Sequence, residues 1–259
     1  MCGQLGAPAT SKQFEKAVHA TFIQTAEHMG LMKPLTLLIL RKAARQCRAW
    51  AIDQPDMTVA VNISAANLLD IHLVDHILDV LHEEHLNPEQ LVLEVTESVM
   101  MTDPDRARST LTQLADVGIK IAIDDYGTGH ASLTSLQHLP VSELKIDRSF
   151  IRHLASNATD QAIVRSTIDL GHSLGLSVVA EGVEDAAALA ILTSLGCDSV
   201  QGFHLCRPRP RRDGDRPPHC PARTSADAPL EEQTEAGRRL RLASRRREPP
   251  DDAFRLPNS

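Results

Sequence analysis

The segment LVLEVTESVMMTDPDRARSTLTQLADVGIKIAIDDYG, residues 91–127, sets the fold. Its two ends, LVLEVTES (91–98) and KIAIDDYG (120–127), are short runs rich in β-branched and other apolar residues and mostly apolar until their ends. Between them Asp103 and Pro104 form a helix start signal, and a helical pattern runs from Asp105 to Val117. A strand, a helix and a second strand in succession read as a parallel pair with the helix as its crossover.

Working outward, the unit repeats. VAVNIS (59–64), ELKID (143–147), LSVVAEGVE (176–184) and CDSVQGFHL (197–205) are further strand candidates, each mostly apolar until its end, as strands buried on both faces are. His76 to His85 carries apolar residues at 77, 78, 80 and 81 and reads as a helix. Asp160 to Leu174 and Asp185 to Leu195 begin with acids and stop at Gly175 and Gly196, the residue type that ends helices. Thr21 to Trp50 reads as two helices, with Pro34 at a position suited to a helix start. The alternation predicts an α/β fold, a parallel sheet with helices outside it. Pattern alone allows both a closed eight-stranded barrel and an open doubly wound sheet.

The 259 residues carry a formal charge of −7, with 42% hydrophobic and 3% aromatic residues. That charge argues against a nucleic-acid polymer held by a globally basic surface. It is unevenly placed: from Arg207 onward 13 Arg face 9 acids, so the preceding 206 residues hold 14 basic and 25 acidic ones. The same tail holds 9 of the 15 prolines. We therefore expect an irregular segment at 1–18, a barrel-type domain at 19–206 and an Arg/Pro-rich disordered tail at 207–259. The five cysteines show no metal-ligand spacing and read as reduced thiols. Apolar stretches such as Leu35 to Leu40 are far short of a membrane span, and no signal peptide is visible, so a cytoplasmic protein is expected.

Polar residues recur at the C-terminal ends of the strands. Asn62 ends the first, Glu94 and Glu97 the second, Asp124 and Asp125 the third. Lys145 and Asp147 end the fourth, Glu181 and Glu184 the fifth, and Gln201 the sixth. In a parallel barrel those ends converge on the face that builds the active site. Carboxylates gathered there repel one another unless a cation neutralises them, and an all-oxygen set suits Mg²⁺ or Mn²⁺. Adjacent strand residues diverge, so Asp124 and Asp125 act together only if a turn begins there, which Gly127-Thr128-Gly129 supplies. Lys145 is the one cation among these acids, suited to orient a water or to stabilise charge on a phosphate; in the plainer reading it pairs with Asp147 or Asp125.

These residues also carry a family resemblance. FIQTAEHMGLM (22–32), VNIS (61–64), LEVTES (93–98), IDDYGTGHASL (123–133), LKIDRSF (144–150), VVAEGVE (178–184) and CDSVQGFHLCRPRP (197–210) resemble, in order, blocks of the EAL domain, the cyclic di-GMP phosphodiesterase family. The resemblance covers about residues 19 to 210. It implies a (β/α)8 TIM-type barrel with one antiparallel strand, and hydrolysis of cyclic di-GMP to linear pGpG. It further implies that Asn62, Glu94 and Asp124 bind one Mg²⁺ or Mn²⁺, and that Asp124, Asp125 and Glu181 hold a second. Lys145 would contact the attacking water, Glu181 would double as proton acceptor, and Gln201 would support the site. Glu97 resembles the residue that anchors the loop after Asp125, a loop coupled in the family to dimerisation, so a homodimer is the implied assembly.

The family's signature Glu-Ala-Leu, whose Glu is a metal ligand, has no counterpart in the roughly 20 residues before the matching helix. The sequence thus resembles a front-truncated, incomplete barrel with about six of eight strands. A first-sphere ligand lost in this way would cost at least ~10–100-fold in affinity or activity. A catalytically inactive module that binds cyclic di-GMP or a partner protein is the alternative reading.

Overall fold

Backbone N–H and C=O groups inside an apolar interior must be paired, which drives short buried runs to hydrogen-bond side by side. The computed structural model describes residues 25–97, 103–127 and 136–205. Within them β1 (Val59–Asn62), β2 (Leu91–Thr96), β3 (Lys120–Tyr126), β4 (Glu143–Ile146), β5 (Ser177–Glu181) and β6 (Ser199–Gln201) form one six-stranded sheet in sequential order. Every neighbouring pair is parallel. Each of the six strand candidates is a strand. The segments 1–18 and 207–259 lie outside the described residues.

The strand order decides between the two architectures. A doubly wound sheet needs a reversal of order to cover both of its faces with helices. Here the order never reverses, so right-handed crossovers carry each helix to the same face. The sheet is therefore a curled part of a (β/α)8 barrel, with β1 and β6 as the end strands among the described residues.

The helices are α1 (Met32–Ala51), α2 (Ala65–Leu68), α3 (Leu73–Glu84), α4 (Pro104–Asp116), α5 (Arg148–Ile151), α6 (Ala158–Ser173) and α7 (Ala186–Ser194). Their starts follow capping chemistry. The Asp103 carboxylate accepts the Arg106 N–H with Pro104 in the first turn, and Asp185 accepts the Ala188 N–H. Two starts differ from the sequence reading. Helix α3 begins at Leu73, earlier than His76, and Leu73 is already buried. Helix α6 begins before Asp160 because Asn157 is its cap, accepting the Thr159 N–H. Gly175 and Gly196, at φ 74° and 76°, follow α6 and α7 as expected. Residues 25–28 are helical and a turn at 29–30 separates them from α1, so two helices stand here as expected; Pro34 lies in the first turn of α1, which buries Leu40, Ala44 and Cys47.

The core lies between the strands and these helices. Leu91, Leu93 and Val95 of β2 are fully buried, as are Ile121 and Ile123 of β3 and Leu111 and Leu114 of α4. Beyond β5 the chain is laced to β6: the Val183 N–H donates to the Gln201 carbonyl and the Val183 carbonyl accepts from the His204 N–H, both at 3.0 Å. A Cβ at Gly202 would overlap the Val183 backbone N, C and O. Cys47 and Cys197 are buried free thiols; Cys2, Cys206 and Cys220 lie outside the described residues. Among the described residues no helix is long and apolar enough to cross a membrane.

Two outcomes are expected. Gly202→Ala forces the β5–β6 connection apart and lowers unfolding free energy by about 1–3 kcal/mol; urea denaturation indistinguishable from wild type contradicts this. Burial pushes the Cys197 thiol up to about 12, against ~8.5 in an unfolded chain. Its contribution to stability is thus complete below ~8.5 and is lost as pH climbs toward the folded value. Urea unfolding at stepped alkaline pH is expected to show a steeper loss in wild type than in Cys197→Ala, and parallel slopes would refute the assignment.

Candidate active site

Side chains along a strand alternate between faces, and laterally paired residues of neighbouring strands share a face. Asn62 is paired with Glu94, and Glu94 with Ala122, which puts Asp124, two residues on, beside them. On the other half of the sheet Lys145 is paired with Val179, and two residues on Glu181 is paired with Gln201. The structure therefore brings Asn62, Glu94 and Asp124 to one face and Lys145, Glu181 and Gln201 to one face, all at the C-terminal ends of the strands.

Lys145 joins the two sets. Its ammonium pairs with Glu94 Oε1 at 2.6 Å, with Asp124 Oδ1 at 3.5 Å and with Glu181 Oε1. The pairing with Asp147 or Asp125 that a plainer reading allows is replaced by these three. Lys145 is only 3% exposed. Burial by itself would pull its ammonium down, but the Glu94 charge and the hydrogen bonds to Glu181 and Glu94 outweigh it and hold the group up and protonated. Glu181 feels the opposite: burial pushes its carboxyl up, although Lys145 draws it back. An ammonium has three N–H donors, and here it has three carboxylate partners. Glu94 and Glu181 accept hydrogen bonds from it, while Asp124, at 3.5 Å, is held by charge, which leaves the third donor for a water.

Asp125 turns away from this cluster. Its backbone is left-handed, φ 55°, the pairing of β3 with β4 shifts register between Ile123 and Tyr126, and Gly127 follows at φ 94°. The turn expected after Asp124 thus begins at Asp125 itself, and its backbone N–H donates to Asp124 Oδ1 at 3.0 Å. The Asp125 side chain shares a hydrogen bond with Asp147. Burial first, then the charges of Asp124 and Asp147, push the Asp125 carboxyl up. Burial would raise Asp147 too, but hydrogen bonds from Ser149 and Asp125 hold it down. Asp147, which the sequence places at the end of ELKID without a role in the site, is the partner of Asp125, and it also caps α5 by accepting the Ser149 N–H.

Glu97, just past β2, is 4% exposed, and its charge helps to raise the Tyr126 phenol after burial has done so. Residues 128–135, the loop it was expected to anchor, lie outside the described residues. Glu184 is exposed beyond the rim.

The donor set fits a hard divalent ion in kind, an amide and four carboxylates at one rim. Among the described residues, however, no three His, Cys, Asp or Glu side chains are gathered so that they could hold an ion. The physical reason is Lys145, which draws Glu94, Asp124 and Glu181 onto its ammonium. A separate groove of about 350 Å³ between Tyr126 and α6 is lined by Ala162, Ile163 and Leu170 and contains none of these carboxylates.

Comparison with known proteins identifies relatives of this fold. The EAL domain profile matches residues 11–208. The bifunctional diguanylate cyclase/cyclic di-GMP phosphodiesterase MucR of Pseudomonas aeruginosa is 46% identical over 190 residues, covering 73% of this chain and 28% of MucR. The signaling protein YkoW of Bacillus subtilis is 41% identical over 189 residues, 73% of this chain and 24% of YkoW. The chain thus spans about a quarter of the length of these curated relatives. A solved structure of the PaMucR phosphodiesterase in complex with c-di-GMP superposes with a TM-score of 0.71 at 46% identity, covering 74% of this chain and 78% of that one.

Removing one partner of a buried charge cluster strands the others, at about 3–5 kcal/mol. Lys145→Met is therefore expected to lose stability of that order in chelator-treated protein, with the gap to wild type narrowing in excess Mg²⁺. Chemical denaturation in both conditions measures it; a variant as stable as wild type without metal contradicts the role given to Lys145.

Proposed function

The chain belongs to the EAL domain family, and on that premise we propose that it hydrolyses one phosphodiester of cyclic di-GMP to linear pGpG, a second-messenger reaction of bacteria. What supports the reading is the meeting of Glu94, Asp124 and Glu181 on Lys145 at the rim of the sheet.

Asn62, Glu94 and Asp124 are the residues that would hold one Mg²⁺ or Mn²⁺, with Asp124, Asp125 and Glu181 toward a second. When bound, such ions would supply Lewis-acid activation of a water and neutralise charge building on the phosphate. The remaining work falls to the chain's own groups. A water oxygen bonds to phosphorus, the bond from phosphorus to the 3′-oxygen breaks, and the 3′-oxygen takes up a proton from solvent water and leaves as a hydroxyl. Glu181 takes the proton of the water; its upward shift by burial makes it a stronger base than an exposed carboxylate. Lys145 aligns that water with its third N–H donor, and its charge stabilises the oxygens of the phosphorus centre. Gln201, paired with Glu181 across β5 and β6, supports the base. Glu97 anchors the loop that follows Asp125. The reading puts the chain in the cytoplasm, with cyclic di-GMP and a second copy of itself as partners.

The test is chromatographic detection of pGpG from cyclic di-GMP in the presence of Mg²⁺ or Mn²⁺. We expect turnover by the wild type and a loss of ~10²–10⁴-fold in Glu181→Gln. Cyclic di-GMP bound without any pGpG, with either ion, overturns the enzymatic reading in favour of a binding module.

A further inference from the structure

Helix α3 carries a second constellation, remote from the Lys145 cluster in composition and chemistry. His72 caps the helix and His76 stands one turn later; the His76 N–H donates to the His72 carbonyl at 3.0 Å, which closes the turn between them. Their rings lie 6.0 Å apart between centroids, inclined by 69°. We propose that His72 and His76 form a chelating site for a borderline transition ion of the Zn²⁺ class, with water completing the coordination.

Two histidines four residues apart on a helix face are the spacing that lets both imidazoles reach one ion. Metal–nitrogen bonds of about 2.0–2.1 Å place two ring centres no more than ~6.5 Å apart, a limit these rings meet as they stand. Imidazole nitrogen selects Zn²⁺, Ni²⁺ or Cu²⁺ over the hard ions that suit the carboxylate rim. Among the described residues neither ring nitrogen has a hydrogen-bond partner, so ligation breaks no existing bond.

The surroundings favour a cation there. Asp70 Oδ1 accepts the His72 backbone N–H at 3.0 Å, and Asp70 Oδ2 pairs with Lys33 at 2.9 Å, which fixes the backbone that carries the first ligand. Asp70 and His76 also attract each other electrostatically, and Asp75 adds a carboxylate in the first turn. These charges oppose the positive end of the helix dipole, which disfavours a cation. The other histidine pair on α3 lacks these features. His82 and His85 are three residues apart with centroids at 6.5 Å, His85 is left-handed at the C-cap, and Arg45 and Arg48 reach the adjacent Glu84.

Calorimetric titration of the full chain with Zn²⁺ alone, in excess Mg²⁺ to occupy oxygen-donor sites, tests the proposal. The wild type is expected to take up one equivalent that His76→Ala and His72→Ala bind more than ~10-fold more weakly, while His82→Ala keeps it. His72 is exposed, so His72→Ala serves as the folded control should the half-buried His76 prove needed for folding. Zn²⁺ uptake equal in wild type and in the folded His72 variant overturns the site, as does loss of the equivalent in His82→Ala.

Discussion

A single buried ammonium facing three carboxylates is the interaction on which this structure turns. Lys145 on β4 ties together β2 through Glu94, β3 through Asp124 and β5 through Glu181. Burying four charges in a sheet end is unfavourable unless they are paired. One formal positive charge against three carboxylates leaves an excess of negative charge at the rim. The same residues therefore explain why the rim is assembled and why it carries excess negative charge.

The fold supplies that meeting through register. In a sheet whose order follows the chain, one strand end after another arrives at the same rim, so residues 51 positions apart, such as Glu94 and Lys145, come within hydrogen-bond distance. Deviation from the regular strand has equal consequence. The left-handed Asp125 separates two neighbouring aspartates, leaving Asp124 on Lys145 and sending Asp125 to Asp147. Backbone strain of this kind is held by surrounding structure at functional sites. Beyond β5, the Val183 backbone bonded to Gln201 and His204, with no room for a side chain at Gly202, fixes the strand that carries Glu181.

The sheet was legible in the sequence because its strands are buried on both faces. LVLEV and KIAI read as mostly apolar runs, and the polar residues toward their ends mark the rim. The choice between a barrel and a doubly wound sheet was not legible from pattern, since both give the same alternation; strand order settled it. Helix ends were legible where one capping residue stood alone, as at Asp103 and Asp185. They were misjudged where Asn157 outcompeted the nearby acid Asp160. Among the site residues, Lys145 was visible as the lone cation among acids, but its three partners depend on which strands become neighbours. The pairing of Asp125 with Asp147 depends on a local backbone twist that no residue spacing encodes.

The most direct test of the account is a crystal structure of the chain soaked with cyclic di-GMP and a divalent ion that does not support turnover. The account predicts a phosphodiester seated among Glu94, Asp124, Lys145 and Glu181, with metal density between phosphate and carboxylates. Cyclic di-GMP bound elsewhere, or bound with those four side chains unmoved and no metal among them, would contradict it.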